Sequence, residues 1–249
     1  MAYQYAKGYP KGEFLLPSVT KIIGDFSDKS KVRALTQWSA NQVVAWIKLN
    51  CVKSRGNFAH YRVNDEQLNN ARFNFRDVSD TALEVGSAVH KLAEEYLKTG
   101  KKLFIDSPQI KSGFKAFLSW MDDNKVQPIA VEETVYGNYW AGTLDLRCWL
   151  TMKGWSERKQ YVIDLKTSKE LQKPDMGTQI SAYRSVFPEV QGCGILRLDK
   201  ETGLNEWWDA SKDYEKYLKV FNKMVELYML RHKIIARKAG WSEKHDLHI

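Results

Sequence analysis

The chain has 249 residues, of which 43% are apolar and 27% are charged. This composition is typical of a globular protein and excludes collagen-like and intrinsically disordered chains. We expect no transmembrane helix because no stretch approaches about 18 apolar residues, and no secretion signal because residues 1–16 lack an apolar core segment. Three widely separated cysteines argue against a disulfide framework, a zinc knuckle and a four-cysteine iron–sulfur cluster.

The net charge of +8 lies in the two flanks of the chain. Residues 1–80 carry 12 basic and 7 acidic side chains, net +5, and residues 211–249 carry 9 and 5, net +4. Residues 81–210 carry 17 and 18, net −1. Basic flanks around an acid-balanced centre are typical of a protein that holds a polyanion around a carboxylate site. A solvated basic surface explains the same counts equally well.

The predicted elements follow from caps and periodicity. Ser18 is expected to cap a short apolar helix. Apolar residues at helical spacing predict further helices over 30–50, from Ser79 or Asp80 to Lys98, and over 108–124, 174–187 and 211–239. Alternating apolar runs predict strands over 129–136, 140–150, 160–165, 194–198 and 204–208. Residues 51–78, polar and rich in Asn and Arg, are interpreted as a basic connector with some helix. The order predicts an α/β core with a helical N-terminal portion.

The clearest chemical pattern stands at the end of the third strand. Asp164 and Lys166 are two residues apart, so they share a face of that strand. By itself this pattern is more often a surface ion pair. The preceding strand carries Asp145, and a hairpin about residues 151–159 brings the two aspartates together. Two carboxylates in an apolar sheet repel each other, and a divalent cation relieves that repulsion. Oxygen ligands of this kind prefer Mg²⁺ or Mn²⁺.

Two helices carry residues that fit such a site. Gly86, His90 and Glu94 follow at i, i+4 and i+8, so they lie along one helix face. We expect His90 to be a third metal ligand, although a single histidine on a helix is more often structural. Gln179 and Tyr183 share a face of the helix after the third strand. Their amide and phenol suit contacts to the lysine or to a substrate phosphate, although a surface pair would look the same.

Taken together, these motifs resemble the RecB-type branch of the PD-(D/E)xK nuclease superfamily. The matching motifs are Gly86-x3-His90, Gly142-x2-Asp145, Asp164-x-Lys166-Thr167-Ser168 and Gln179-x3-Tyr183. Two N-terminal motifs further resemble the branch of the mitochondrial genome maintenance exonuclease and its phage relatives: Pro17-Ser18-Val19-Thr20 and Leu35-x2-Trp38-x2-Asn41. The resemblance covers roughly residues 14–190. Gly-Thr-Leu-Asp stands where much of the superfamily has Pro-Asp.

The resemblance implies a restriction-endonuclease-like fold, with a central mixed sheet flanked by helices and a helical N-terminal portion. We expect a single nuclease domain over 1–249, composed of a helical portion over 1–78, a catalytic core over 79–210 and a basic C-terminal helix over 211–249. The four-cysteine cluster of some relatives is absent, so no iron–sulfur cofactor is expected.

The resemblance also implies roles for particular residues. We expect Mg²⁺ or Mn²⁺ to be held by side chains and one carbonyl, namely His90, Asp145, Asp164, the Leu165 carbonyl and Glu133. We expect Lys166 to be the catalytic amine, which orients or deprotonates water or stabilises the phosphorus centre. Gln179 and Tyr183 are expected to position Lys166 and the DNA backbone.

The expected activity is a metal-dependent DNA exonuclease, with single-stranded DNA as substrate. Basic and aromatic residues of the N-terminal portion are expected to stack on bases and follow phosphates; with Ser18, the set is Trp38, Lys48, Lys53, Arg55, Arg62 and Arg72. Packing in the protein core would explain Trp38 equally well. The alternatives are a duplex-end or structure-specific nuclease of phage recombination and a non-catalytic DNA-binding module. We expect a cytoplasmic protein of a bacterium or a phage-infected cell, with no membrane contact, that works beside replication or recombination proteins.

Overall fold

A computed structural model describes residues 5–9, 12–26, 29–53 and 60–232. Its elements, in chain order, are β1 (Tyr5–Tyr9), β2 (Gly12–Leu16), α1 (Val19–Asp25), α2 (Lys29–Asn50), β3 (Val52–Lys53), β4 (Tyr61–Arg62), α3 (Asp65–Thr99), α4 (Pro108–Asp123), β5 (Gln127–Tyr136), β6 (Ala141–Leu150), β7 (Lys159–Lys166), α5 (Lys173–Arg184), β8 (Gly192–Leu198), β9 (Asn205–Asp209), a 3₁₀ turn (Ser211–Asp213) and α6 (Tyr214–Arg231). No helix in these ranges combines the length and apolar character needed to cross a membrane.

The chain divides into two compact units, and the boundary falls within α3. One unit spans residues 27–87, and the other combines residues 1–26 with 88–249. The predicted border between the helical portion and the core, at 78/79, lies nine residues before the observed border at 87/88.

The unit over 27–87 contains α2, the short antiparallel pair β3–β4 and the first turns of α3. The predicted helix over 30–50 is confirmed as α2. The α3 helix begins at Asp65, about 14 residues before the predicted start, in the segment interpreted as a connector. Its start is explained by a reciprocal cap: Gln67 N–H donates to Asn64 Oδ1 at 2.8 Å, and Asn64 N–H donates to Gln67 Oε1 at 3.0 Å. This capping box satisfies two backbone donors that a helix start leaves open.

The other unit is built on a five-stranded mixed sheet, in the order β5-β6-β7-β8-β9 among the described strands. Neighbouring strands are antiparallel except for β7 and β8, which are parallel and are joined through α5. The predicted α/β class is thus confirmed, and each predicted strand starts and ends within two residues of the observed one. The β1–β2 hairpin was not predicted. The predicted helix over 211–239 is observed as the 3₁₀ turn and α6 up to Arg231, and residues 233–239 lie outside the described ranges.

Apolar side chains form two cores in this unit. The first core joins α1, α5 and α6 to the sheet, through residues such as Ile22, Leu144, Ile180, Ile195 and Phe221. The second core joins the end of α3 and α4 to the sheet, through residues such as Val89, Phe117, Trp120, Leu146 and Ile163. Each of these side chains is 0–2% exposed, so each contributes roughly 1.5–3 kcal/mol through burial. Packing of this kind gives the sheet the rigidity that a site on its strands requires.

Candidate active site

The candidate site lies where strand pairing in the sheet is interrupted. Antiparallel pairing of β6 with β7 runs from Leu150 and Lys159 to Leu146 and Ile163 and ends there. One residue further along each strand stand Asp145 and Asp164. The Leu165 N–H donates a hydrogen bond to Asp145 Oδ2 at 2.6 Å. Where the paired region ends, β6 and β7 form a fork, and the Asp145 carboxylate lies between the two strands. The predicted hairpin thus brings Asp145 and Asp164 together.

The strands β5 and β6 also twist at this point. Leu144 and Leu146 are two residues apart and would share a face in a regular strand, yet they belong to the first and the second core respectively. In β5, Val131 packs against the second core and Val135 belongs to the first. Between them Glu132 has a φ of 52°, a left-handed conformation that residues other than glycine adopt rarely and at an energetic cost.

This twist corrects the predicted carboxylate from Glu133 to Glu132. Ligand atoms of Glu132, His90 and Asp145 all lie within 4.8 Å of one another. The Glu133 carboxylate instead accepts hydrogen bonds from Arg147 Nε and Nη2 at 3.0 and 3.2 Å. Neighbouring strand residues point in different directions, so only one member of this acidic pair reaches the site.

His90 and Asp145 interact across the site, with Nδ1 of the imidazole 3.7 Å from Oδ2 of the carboxylate. Burial disfavours the charged imidazole, but the attraction of Asp145 and Asp164 outweighs burial and raises the pKa of His90. Burial likewise opposes ionisation of Asp145, but its interactions with His90 and with Lys166 hold the pKa of this carboxyl below its usual value. Asp145 is therefore the carboxylate of the site that ionises most readily.

Asp164 is the most deeply buried carboxyl of the group, at 2% exposure. Gln179 Nε2 donates to its Oδ1 at 3.1 Å and also lies 3.4 Å from the hydroxyl of Tyr183. Lys166 Nζ forms an ion pair with Oδ2 at 2.6 Å. The three predicted catalytic residues Lys166, Gln179 and Tyr183 thus gather around one aspartate.

The charges of the site explain the pKa values of its remaining acids. Burial raises the pKa of Asp164 to about 6 despite the nearby Lys166 cation, and the Asp145 carboxylate adds to the rise. Burial and the carboxylates of Asp145 and Glu94 raise the pKa of Glu132 to about 7. Burial opposes the charge of Lys166, but Asp164 and Asp145 outweigh it and raise the lysine pKa. Burial is therefore the main reason why the pKa values of Asp164 and Glu132 are raised, and for Glu132 the neighbouring carboxylates add to the rise.

A divalent cation fits this set of donors. The carboxylates of Glu132 and Asp145 are hard oxygen ligands, and the imidazole of His90 completes a group of three that Mg²⁺ or Mn²⁺ accepts. The predicted ligand role of Asp164 stays a prediction. A cation would also offset the repulsion that raises the pKa of Glu132. Leu165 contributes its N–H to Asp145, and the role of its carbonyl stays a prediction.

The predicted DNA-binding residues lie mainly in the unit over 27–87. Those that are described there are exposed, and they are Trp38, Lys48, Lys53, Arg62 and Arg72. Arg55 lies outside the described residues. The Arg72 guanidinium lies 5.2 Å from the ring centre of Phe73, whose side chain is also exposed.

Ser18, one of the predicted DNA contacts, caps α1. Its side chain is 7% exposed, and its hydroxyl accepts a hydrogen bond from the Lys21 N–H at 3.1 Å. The predicted cap of the first apolar helix is confirmed. A contact of Ser18 with DNA stays a prediction.

The site therefore unites two aspartates, a lysine, a histidine and a glutamate from α3, β5, β6 and β7. The chain matches no protein-family model, and no curated protein matches it significantly.

Proposed function

We propose that this chain is a divalent-metal-dependent DNA exonuclease that hydrolyses phosphodiester bonds, with single-stranded DNA as its substrate. The observation that carries the proposal is the fork of β6 and β7, where Asp145 and Asp164 lie beside Lys166 in a buried setting. Two carboxylates and one amine that the protein holds this close suit phosphoryl chemistry, in which charge on the phosphate must be balanced. An ion pair with Lys166 that had only a structural role would need only one of the two aspartates.

In this proposal His90, Glu132, Asp145 and Asp164 hold Mg²⁺ or Mn²⁺. The bound cation supplies a lowered water pKa and neutralises charge on the scissile phosphate. The protein contributes orientation. The Leu165 N–H holds Asp145, and Gln179 holds Asp164, so a hydrogen bond to one of its oxygens orients each carboxylate.

Lys166 is proposed to act as a cation. Its raised pKa keeps the ammonium group protonated near neutral pH, which favours stabilisation of the charged phosphate and orientation of water over removal of a proton. Its approach to Asp164 Oδ2 at 2.6 Å fixes the amine next to the acid. Tyr183 supports this arrangement through Gln179, whose amide lies between the phenol and Asp164.

The proposed preference for single strands rests on the unit over 27–87. Exposed basic residues and Trp38 provide phosphate contacts and a stacking surface. Such binding is strongly salt-dependent because counterions are released from the DNA. By resemblance, the protein works in the cytoplasm of a bacterium or a phage-infected cell, beside replication or recombination proteins.

A gel assay of end-labelled DNA tests the proposal. Linear and circular single strands are incubated with Mg²⁺, Mn²⁺ or EDTA, beside the variant Lys166→Ala. We expect loss of linear DNA only, in the presence of metal only, and a rate for Lys166→Ala that is lower by at least about 10²-fold, with DNA binding retained.

The control is Lys153→Ala, an exposed lysine in the turn between β6 and β7, which should cleave at the rate of the unmodified protein. Cut circles would replace the exonuclease with an endonuclease, and cleavage of duplex ends alone would favour the duplex-end nuclease. Metal-independent turnover, or full activity of Lys166→Ala, would overturn the proposed site.

A further inference from the structure

The loop that follows Lys166 is held by a residue outside the motifs. Arg197, on β8, is the parallel-strand partner of Lys166 in the sheet. Its Nη1 donates to the carbonyl of Lys169 at 3.1 Å and lies 3.5 Å from the carbonyl of Ser168. The Nη1 amino group carries two hydrogens, so it can donate to the Lys169 carbonyl and to one further acceptor. The backbone immediately after the candidate catalytic lysine is therefore tied to the next strand.

Arg197 is itself well fixed. Its Nε donates to Glu206 Oε2 at 2.7 Å, and its Nη1 donates to Asp199 Oδ2 at 3.1 Å. Asp199 accepts the N–H groups of Glu201 and Thr202, both at 2.9 Å, in the turn between β8 and β9. These hydrogen bonds hold the pKa of Asp199 down at about 2. Asp199 therefore stays ionised near neutral pH, and its hydrogen bond with Arg197 does not depend on pH there.

The loop held in this way presents a basic side chain. Lys169 is exposed, and its ammonium group makes no ion pair with the residues that the structure describes. The neighbouring Ser168 hydroxyl donates to the carbonyl of Glu170 at 2.8 Å, which closes a tight turn. Three residues span at most about 11 Å, so Lys169 stands close to Lys166. A lysine on a backbone that is fixed in place loses less freedom when it binds a ligand.

We propose that residues 167–170 form a phosphate-binding loop, in which Lys169 contacts a backbone phosphate of the DNA strand and Arg197 is the positioning residue that holds the loop. This inference rests on the proposed function, because it names a residue that binds the DNA strand near the cleaved bond. The feature that favours an anionic phosphate is the exposed ammonium group of Lys169, which stands on a backbone that Arg197 holds and makes no ion pair with the described residues.

Binding measurements test the role of Lys169. The Lys166→Ala protein is titrated against a fluorescent single-stranded oligonucleotide over a KCl series, with and without Lys169→Ala. One lost phosphate contact lowers the slope of log K against log salt by about 0.7 for single strands, which corresponds to roughly fivefold weaker binding at about 0.1 M salt. Lys153→Ala, the matched lysine at the far end of the hairpin, should change neither quantity. An unchanged slope for Lys169→Ala would overturn the proposal.

A double-mutant cycle tests whether Arg197 acts through Lys169. Arg197→Met should weaken DNA binding when Lys169 is present and change it less than about twofold in the Lys169→Ala background, because residues that act together are not additive. Glu206→Gln leaves the bonds to the loop carbonyls in place and should bind normally. Equal losses in both backgrounds would contradict the positioning role.

The two proposals fail in different ways. A wild-type protein that cleaves DNA while Lys169→Ala binds and cleaves normally would refute the loop and leave the nuclease assignment standing. An unmodified protein that shows neither metal-dependent cleavage nor salt-dependent DNA binding would refute both.

Discussion

Replacing Glu132 with glutamine should stabilise the metal-free protein. The pKa of Glu132 rises from 4.5 to about 7 in the folded protein because burial and the carboxylates of Asp145 and Glu94 disfavour its charge. The folded state therefore holds this proton more tightly than the unfolded state does. Glu132 therefore does not lower the free energy of unfolding below pH 4.5. The free energy of unfolding decreases as the pH rises above 4.5, and the full loss is reached above pH 7.

The size of the effect follows from the two pKa values. At about 1.36 kcal/mol per pKa unit, the rise corresponds to about 3.4 kcal/mol. Glu132 is only half-buried, so solvent screening reduces the expected gain to about 1–2 kcal/mol. For a chain of this length, that gain raises the melting temperature by roughly 3–6 °C.

Thermal unfolding in EDTA at pH 8 and pH 5 measures this gain. We expect Glu132→Gln to melt above the unmodified protein at pH 8, and the difference to shrink at pH 5. Addition of Mg²⁺ or Mn²⁺ should then stabilise the unmodified protein, by about 2.7 kcal/mol when the free metal is 100 times the dissociation constant. The variant should gain much less.

Glu133→Gln is the matched control, since it removes the adjacent carboxylate, which pairs with Arg147. It should lower stability by no more than about 1 kcal/mol and respond to metal as the unmodified protein does. If Glu132→Gln were less stable at pH 8 in EDTA, or gained as much from metal, the assignment of Glu132 to the cation site would be refuted. If only Glu133→Gln lost its response to metal, Glu133 would be the ligand, as the sequence predicted.

Two further substitutions probe the residues around the site. Gln179→Ala removes the amide that holds Asp164, and we expect the cleavage rate to fall by about 10–100-fold while circular dichroism shows a folded protein; an unchanged rate would contradict the orienting role. Gly142→Ala places a Cβ 2.5 Å from Cε1 of Tyr183, so we expect denaturant unfolding to show a loss of roughly 1–3 kcal/mol. Gly24→Ala, whose Cβ would meet no atom within 4 Å, serves as its control and should be neutral or stabilising, and an equal loss in both would rule out the clash with the ring.

Much of the fold could be read from local patterns in the sequence. Strands β5 to β9 were located within two residues because apolar alternation is a local property of the chain. The Asp164-x-Lys166 pair was found in the same way, since residues two apart share a face in a regular strand. The helix start at Asp65 was missed, although Asn64-x-x-Gln67 is a capping signature that the sequence displays.

Other features depend on contacts that no local pattern records. Glu132 and Glu133 are chemically identical neighbours, and the left-handed backbone at Glu132 decides which carboxylate reaches His90 and Asp145. That conformation arises where β5 and β6 twist between the two cores, so it is imposed by packing against distant helices. Arg197 is likewise an ordinary strand residue until the parallel pairing of β7 and β8 places it beside the loop after Lys166. The sequence by itself thus determined the residue types, the elements and the order of the motifs, because these depend on near neighbours. Only the tertiary structure decided which acid faces the site and what holds the loop after Lys166, because both depend on strand register and core packing.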